Sequence, residues 1–276
     1  MRACVSAMVG IVLALQLQCC ASDHGASSGD KLTAAESHAN GTEPMSVPES
    51  EPGPQPEPEP SAAAEPAQVR TVLAGHVENA RDLGGIALRD SAKVKDGLLF
   101  RGPPLAALGD DGCAAVAELG IRSVIDLRVE SEVSLKPDDA CVSNEAQLLA
   151  APLPVPYNVS PADYIAVLDT SESIVRIFEV LGDEARYPVY FHCTWGRDRT
   201  GIMSAVVLLA LGATPEAIME DYLVSDETVG AYPASLRAAL EEIASRGGID
   251  AYLAAAGVSA QQLATLRSHA IWRATR

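Results

Sequence analysis

The sequence predicts an α/β fold, in which a central, mostly parallel sheet is flanked by helices and the C-terminal half is helical. Short apolar runs alternate with helical patterns up to residue 193, and such alternation is typical of parallel strands joined by crossover helices. After residue 201 all of the patterns are helical. The chain has 276 residues, of which 48% are hydrophobic, and this is enough apolar surface for one large core.

The expected strands are short apolar runs bounded by turn-forming residues. They cover residues 97–101, 121–127, 147–153 and 190–193. Helical periodicity predicts helices between them, at 110–119, 161–168 and 171–181. Gly120 follows the first of these helices in a position that suits a left-handed C-cap. Pro161 suits the first turn of the second.

Further helices are expected in the C-terminal half, at residues 201–211, 215–224, 233–246, 250–256 and 259–271. The run Thr214–Glu216 starts the second of these helices. Ser259 and Gln262 form a capping box at the start of the last one. We expect this group of helices to pack on one face of the sheet.

The segment His192–Gly201, which we name the signature loop, joins the last strand to the helix that follows and reads HCTWGRDRTG. Five residues separate Cys193 from Arg199. A tight loop before a helix turns several backbone N–H groups toward one point, and the helix dipole adds positive potential there. A phosphate dianion fits that point, and the planar guanidinium of Arg199 can hold two of its oxygens.

Cys193 is therefore predicted to be a nucleophile beneath the phosphorus. Helix N-termini and nearby cations lower the pKa of thiols in general, and we expect Cys193 to be a thiolate. It would attack phosphorus and form a cysteinyl-phosphate that water hydrolyses, while Arg199 and the loop amides stabilise the transition state. His192 is expected to orient the loop, and Thr200 to donate a hydrogen bond to the sulfur. No metal or cofactor is expected. The remaining phosphate-binding candidates are Thr194, Trp195, Gly196, Arg197 and Gly201.

The signature loop resembles that of the cysteine-dependent protein-tyrosine and dual-specificity phosphatases. Its second half, Arg197–Gly201, is similar to a bacterial branch of secreted tyrosine and phosphoinositide phosphatases, the protein-tyrosine phosphatase B type. Two further segments resemble that branch, Asn79–Gly85 (NARDLGG) and Val124–Arg128 (VIDLR), the latter with Glu130 and Glu132 close behind. The resemblance implies a phosphotyrosine-phosphatase-like fold and hydrolysis of phosphorylated protein or lipid.

The resemblance covers roughly residues 70–276, with one departure: the branch usually has lysine where this chain has Arg197. Both are cations, so phosphate attraction should survive, but the stricter geometry of arginine can change substrate preference. The chain has no Trp-Pro-Asp stretch to supply a general acid from another loop. The resemblance implies that Asp198 is the acid or orients the substrate. The alternative is that Asp198 pairs with Arg197 or with the loop backbone.

Other polar residues of the matching segments have supporting roles at most. Asp126 is a weaker candidate for the acid, and pairing with Arg128 or helix capping is the more natural role for it. Arg81 and Asp82 are expected to tie the N-terminal element to the site, and ordinary turn chemistry is the alternative. Trp195 either walls the pocket or packs under the loop. The stretch 157–164 is either a lid or a plain connector.

The first 68 residues differ in kind from the rest of the chain. Residues 1–20 read as a signal peptide, with Arg2 followed by a short apolar stretch. A lipoprotein signal that makes Cys20, or less readily Cys19, the lipidated N-terminus is favoured slightly over plain secretion, and an uncleaved anchor comes third. Residues 21–68 form a linker rich in Pro and Glu, which favours extended chain. The catalytic domain is expected over residues 69–276.

The net charge and the cysteines indicate which partners and which cellular compartment to expect. Residues 1–68 hold two basic and nine acidic residues and residues 69–276 hold 18 and 28, so the two parts carry −7 and −10. An acidic domain argues against a nucleic-acid partner and weakens attraction to anionic lipid. The expected location is secreted or the bacterial cell envelope, and no oligomeric state is indicated. Outside the leader, a disulfide between Cys113 and Cys141 would leave Cys193 free; two separate buried thiols are nearly as favourable.

Two other function classes remain open from the sequence. A phosphate-binding module without turnover needs the same loop but not the nucleophile, and this chain keeps both Cys193 and Arg199. A sulfur transferase of rhodanese type also uses a cysteine loop, although its loop usually lacks the preceding histidine and the Arg-Thr-Gly that follows. Phosphatase chemistry is the leading interpretation.

Overall fold

The computed structural model describes residues 70–274. The predicted leader with Cys20, and the linker over residues 21–68, lie outside the described residues. The main sheet has six strands: β1 (Arg70–Thr71), β2 (Arg81–Asp82), β4 (Leu99–Gly102), β5 (Ser123–Asp126), β6 (Gln147–Ala150) and β7 (Val189–His192). A second sheet pairs β3 (Lys93–Val94) with β8 (Ile271–Trp272) in antiparallel fashion.

The helices alternate with the strands before β7 and follow one another after it. The first five are α1 (Gly109–Glu118), α2 (Glu130–Leu135), α3 (Ala140–Glu145), α4 (Pro161–Val167) and α5 (Ser171–Leu181). The C-terminal half holds α6 (Asp198–Leu211), α7 (Pro215–Leu223), α8 (Asp226–Val229), α9 (Pro233–Ser245), α10 (Ile249–Ala256) and α11 (Ala260–Ala270). Among the described residues, no helix has both the length and the apolar character that a membrane crossing needs.

The sheet order is β1-β2-β4-β7-β5-β6, and β4, β7, β5 and β6 run parallel. Strand β7 lies between β4 and β5 and all four of its residues are buried. Burial on both faces explains its continuous apolar sequence. Parallel strands end at the same edge of a sheet, so Gly102 and Asp126 come level with His192. The signature loop therefore starts at the centre of that edge.

Side chains alternate between two cores on the two faces of the sheet. Leu99, Ile125 and Phe191 join the larger core, which also contains the apolar faces of α5, α6 and α9 to α11. Their sequence neighbours Phe100, Val124 and Tyr190 join the smaller core with residues of α1 and α3. The period of two follows from strand geometry. Helix α6 is buried along almost its whole length, as the mostly apolar sequence of residues 202–211 requires.

The predicted α/β class, with a mostly parallel sheet and a helical C-terminal half, is confirmed. Several boundaries differ. Helix α6 begins at Asp198, so Arg199 and Thr200 are part of its first turn rather than of the loop before it. Helices α2 and α3 were not predicted because each has only six residues and lacks an apolar period. The two antiparallel strands β1 and β2 have two residues each, too few to show an alternation.

A disulfide joins Cys113 of α1 to Cys141 of α3. It is the pairing that the sequence favoured over two separate thiols. Cys193 is the free cysteine of the described residues and is buried.

Candidate active site

The signature loop owes its tight path to a glycine. Gly196 has a φ of +67°, and a Cβ built on it would lie 2.4 Å from the carbonyl carbon of Gly102. No side chain fits in that space, and the left-handed backbone also favours glycine. The loop therefore packs directly on the chain that leaves β4. Gly201, in the first turn of α6, is similarly close to a neighbour, because a Cβ there would lie 2.8 Å from the ring of Tyr222.

Two side chains hold the carbonyl groups of the loop. Arg101 Nη2 donates to the Gly196 carbonyl at 2.8 Å, and Asn79 Nδ2 donates to the Trp195 carbonyl at 3.0 Å. The backbone N–H groups of residues 194–197 donate to no backbone carbonyl of the described residues. Backbone N–H groups that lack carbonyl partners and follow one another in a tight loop suit an anion above the loop.

Arg81, Arg101 and Asp221 form a buried charge cluster below the loop. Arg81 Nε donates to Asp221 Oδ1 at 2.7 Å, and Arg101 Nη1 donates to Asp221 Oδ2 at 2.5 Å. Arg81 also donates to the carbonyl oxygen of Asp221 at 2.8 Å and to Asn79 Oδ1 at 2.7 Å. The cluster thus joins the predicted N-terminal element to β4, to α7 and to the signature loop.

Burial and neighbouring charges change the pKa values in this cluster. Burial, and then the Arg81 cation, lower the pKa of Arg101 to about 10, although Asp221 and Cys193 oppose the change. Burial alone would raise the pKa of Asp221, but the two arginines outweigh it and the net pKa is lowered. Arg101 and Asp221 are therefore both charged at neutral pH.

Arg199 is held by a carboxylate from α2. Its Nη1 and Nη2 atoms donate to the two oxygens of Glu132, each at 2.6 Å, and Thr194 Oγ1 donates to Glu132 Oε1 at 2.5 Å. This fork-to-fork pair fixes the plane of the guanidinium. Arg199 Nε is buried and has no hydrogen-bond partner among the described residues. It is a donor that a phosphate oxygen can satisfy.

His192 lies between two carboxylates. Its Nε2 atom is 3.3 Å from Asp138 Oδ2 and its Nδ1 atom is 3.8 Å from Asp126 Oδ1, but neither contact has the alignment of a hydrogen bond. Arg128 donates to both oxygens of Asp126, at 2.9 and 2.7 Å, and to Asp138 at 3.1 Å. Asp126 therefore pairs with Arg128, the role that the sequence favoured over acid catalysis. The guanidinium also occupies the carboxylates that a cation would need at this cluster.

Asp198 accepts hydrogen bonds on both carboxylate oxygens. Arg197 donates to Oδ1 at 2.9 Å and to Oδ2 at 3.1 Å, and Tyr164 donates its hydroxyl hydrogen to Oδ1 at 2.6 Å. This is the pairing that the sequence gave as the structural alternative for Asp198, and its role as general acid stays a prediction. The stretch 157–164 runs into α4, and its buried Tyr164 reaches the signature loop rather than being a plain connector.

The hydroxyl of Tyr164 belongs to a chain of hydrogen bonds with one direction. The Tyr232 N–H donates to the hydroxyl oxygen of Tyr222 at 3.0 Å, and the two tyrosine hydroxyls are 2.7 Å apart. Because Tyr164 gives its hydrogen to Asp198, Tyr222 must donate to Tyr164. Burial first, and then the Asp198 charge, raise the pKa of Tyr164 well above its usual range, so its hydroxyl keeps the hydrogen.

The Arg197 side chain contacts a carboxylate, a backbone carbonyl and an aromatic ring. Besides its two bonds to Asp198, its Nη1 donates to the Val229 carbonyl, and its guanidinium lies 4.6 Å from the ring centroid of Tyr232. This is a cation–π contact. The side chain thereby fastens the connection between α8 and α9 to the signature loop. A lysine could make neither the forked pair nor the flat stacking contact.

Other predicted site residues have different surroundings. Trp195 is 57% exposed, so it does not pack under the loop. The Thr200 hydroxyl is buried with no partner among the described residues, so the predicted bond to the Cys193 sulfur is not formed. Asp82 accepts from the N–H groups of Gly84 and Gly97, both at 2.8 Å. Asp82 thus has the turn role that the sequence gave as its alternative, whereas Arg81 does reach the site.

Sequence reasoning missed Arg101, Asp221 and Asp138, and gave Glu132 only as part of a motif. A signal for Arg101 existed, because a lone charge inside the apolar run 98–102 indicates a buried, paired group. Its partner Asp221 is 120 residues away, and no local pattern connects the two.

A sequence model of the tyrosine phosphatase family matches residues 73–271. The chain belongs to the tyrosine phosphatase family. The family resemblance inferred from the three motifs is thus confirmed.

Individual relatives share only a modest sequence identity with this chain. A Cupriavidus necator protein named as a tyrosine-protein phosphatase is 31% identical over 180 residues, 55% of this chain and 61% of that protein. This chain therefore spans less than two thirds of that relative. The triple specificity protein phosphatase PtpB of Mycobacterium tuberculosis is 28% identical over 204 residues, 60% of this chain and 71% of PtpB. Among solved structures, TpbA of P. aeruginosa is 18% identical, with a TM-score of 0.40 over 70% of this chain and 98% of TpbA.

The substitution Glu132→Gln is expected to remove an acid-dependent part of the stability. Burial opposes a low pKa for Glu132, but the hydrogen bonds from Arg199 and Thr194 outweigh it and lower the pKa from 4.5 to about 2. A carboxylate with a lowered pKa stabilises the fold fully above its unfolded pKa, and this contribution is lost as the pH falls through the folded value. Solvent screens this partly exposed pair, so the loss is smaller than the full pKa difference implies. Between pH 4.5 and 2, wild type should lose roughly 1–2 kcal/mol more than the variant.

Urea unfolding at a series of pH values measures this difference. Glu130→Gln is the matched control, since Glu130 lies on the same helix with an exposed side chain, and it should keep the wild-type pH dependence. Parallel curves for wild type and Glu132→Gln would show that the ion pair does not couple protonation to folding.

Proposed function

We propose that this chain is a phosphomonoester hydrolase that acts on phosphotyrosine through a cysteinyl-phosphate. The observation that carries the proposal is the conjunction at the signature loop of a free cysteine, backbone N–H groups without carbonyl partners and a buried arginine with an unpaired Nε. Family membership supports the same reaction.

The reaction has two steps. In the first, the Cys193 sulfur attacks phosphorus and the bond from phosphorus to the ester oxygen breaks, which releases a phenol once its oxygen takes up a proton. In the second, water attacks the cysteinyl-phosphate, and inorganic phosphate leaves as the thiolate is restored. Arg199 and the loop amides face the charge that develops on the equatorial oxygens in both steps.

Asp198 is the proposed donor of the proton to the leaving group. It lies in the first turn of α6, directly before Arg199. To donate, it must take up a proton and release at least one of its bonds from Arg197 and Tyr164. Engagement of the substrate would therefore be coupled to a change in the contacts of Arg197 or Tyr164.

Phosphotyrosine is the proposed preferred substrate. Trp195 presents an exposed aromatic surface on the signature loop, which suits packing against a phenyl ring. The charge of Arg197 is neutralised by its ion pair with Asp198, so this side chain offers little attraction to a second phosphate group. The −10 charge of residues 69–276 further disfavours an anionic membrane surface. The name of PtpB, a triple specificity phosphatase, makes a broader range the alternative.

The proposed location is the bacterial cell envelope, reached by secretion and a lipid anchor on Cys20. The support is the apolar leader over residues 1–20 and the Pro- and Glu-rich linker after it. The disulfide between Cys113 and Cys141 is also typical of oxidising compartments.

Cys193→Ser tests the chemistry. We expect it to lower the rate of aryl phosphate hydrolysis by at least about a thousandfold, as removal of a nucleophile does elsewhere, and the wild-type rate to persist in the presence of a chelator. The matched control is the double replacement of Cys113 and Cys141 by serine, which should retain the rate at a temperature where that variant is folded. A Cys193→Ser variant as fast as wild type would overturn the proposal.

A panel of three substrates tests the preference. Two peptides of one sequence, differing only in phosphotyrosine or phosphoserine, are compared with a phosphoinositide in neutral vesicles. We expect kcat/KM to be highest for the phosphotyrosyl peptide, by about tenfold or more, which corresponds to roughly 1.4 kcal/mol of transition-state binding. Equal or faster turnover of the phosphoinositide would contradict the proposed preference while leaving the chemistry intact.

Cys20→Ser tests the anchor. In a bacterial host, the full chain should fractionate with membranes and carry a lipid mass at its N-terminus, and Cys20→Ser should abolish both. Cys19→Ser is the matched control and should remain anchored. If wild type is found entirely in the soluble fraction without added mass, the anchor does not exist.

A further inference from the structure

The buried charge cluster below the signature loop has an excess positive charge. Arg81 and Arg101 contribute two cations, and Asp221 contributes one anion. The Arg101 side chain is 0% exposed and the others are nearly as buried. The other side chains that bond to Arg81 are Asn79 and Ser225, which are neutral. Excess charge in such surroundings is unfavourable unless a counter-ion is nearby.

The excess charge lies next to the nucleophile. Arg101 and Phe191 are register partners on the neighbouring strands β4 and β7. The guanidinium of Arg101 reaches under the loop to the Gly196 carbonyl, at 2.8 Å. Its Nη2 atom would also lie 3.6 Å from a Cβ built on Gly201 in α6. Arg101 therefore lies between the signature loop at Gly196 and the first turn of α6.

Neighbouring carboxylates are already committed to other cations. Glu132 is paired with Arg199, and Asp198 with Arg197. Asp221 itself is shared between Arg81 and Arg101. Asp126 and Asp138 both bond to Arg128, and neither forms an ion pair with Arg101. The Cys193 sulfur and a bound anion are therefore the candidates to balance the charge of Arg101 on its loop side.

We propose that Arg101 is a positioning residue that supplies an unbalanced positive charge beneath the signature loop, with the Cys193 thiolate and the substrate phosphate as its successive counter-ions. The role of the substrate phosphate as a counter-ion rests on the proposed phosphatase function, whereas the role of the thiolate does not. The charge acts together with the hydrogen bond to Gly196, which holds the loop carbonyl away from the anion.

Charge and hydrogen bonding can be separated by pairing two substitutions. The cluster carries +1 in wild type, from two arginines and one aspartate. Arg101→Met makes it neutral and also removes the bond to Gly196. Adding Asp221→Asn to that variant restores +1 without restoring the bond. A role through charge predicts recovery in the double variant, and a role through the bond alone predicts none.

The experiment measures the rate at which iodoacetamide alkylates Cys193 in the full chain over a series of pH values, followed by mass spectrometry of its peptide. The reagent is uncharged and reacts with the thiolate, so the rate reports the ionised fraction. We expect Arg101→Met to raise the midpoint of the pH profile by about one unit, so that below both midpoints it is alkylated about tenfold more slowly than wild type, as for loss of one close cation. The double variant should return to within about threefold of wild type at the same pH. Inorganic phosphate should protect Cys193 in wild type and less in Arg101→Met.

Controls keep the outcome interpretable. Arg89→Met makes the same change at an exposed arginine and should alkylate like wild type. Should Arg101→Met fail to fold, Arg101→Lys keeps the charge and should alkylate within about threefold of wild type while its KM rises. The charge role would be overturned if the double variant or Arg101→Lys were alkylated as slowly as is expected for Arg101→Met. Alkylation needs no substrate, so this result is independent of the Cys193→Ser test of turnover.

Discussion

The forked contact of Arg81 and Arg101 with Asp221 is the constraint on which the rest of the site depends. Residues 193–197 of the signature loop have no regular secondary structure, so the shape of this part must come from partners outside it. Arg101 and Asn79 supply those partners by holding the carbonyl groups of Gly196 and Trp195. Asp221 fixes Arg101, and Arg81 fixes both Asp221 and Asn79. Four segments distant in sequence thereby define one binding surface.

The sheet brings these segments together because its parallel strands end at one edge. Strand β5 delivers Asp126 level with His192, where the signature loop leaves β7, and β4 delivers Arg101 one residue earlier in the register. Helix α2 follows β5 closely enough for Glu132 to reach Arg199. The fold thus provides the proximity, and the short loops after each strand provide the chemical groups, as is general for open α/β sheets.

Local patterns in the sequence predicted much of this architecture and the place of Cys193 between a buried strand and a helix. Helix α5 has the predicted bounds, and the strand before Cys193 was evident from an apolar run that is buried on both faces. The buried charge cluster was not predictable in the same way, since Arg101 and Asp221 are brought together only by tertiary packing. The role of Asp82 had two local interpretations, and the N–H of the distant Gly97 completes the turn interpretation. Short elements such as α2 owe their form to contacts rather than to propensity.

The hydrogen-bonded chain from Tyr232 through Tyr222 and Tyr164 to Asp198 has a consequence for spectroscopy. Its direction is set by the carboxylate, which can only accept. If Asp198 gained a proton during turnover, Tyr164 could reverse, and the oxygen of Tyr222 would then accept from Tyr164 as well as from the Tyr232 amide. The Tyr232 amide resonance would thus act as a remote reporter of the protonation of Asp198, read out from a residue that is 34 positions away in sequence.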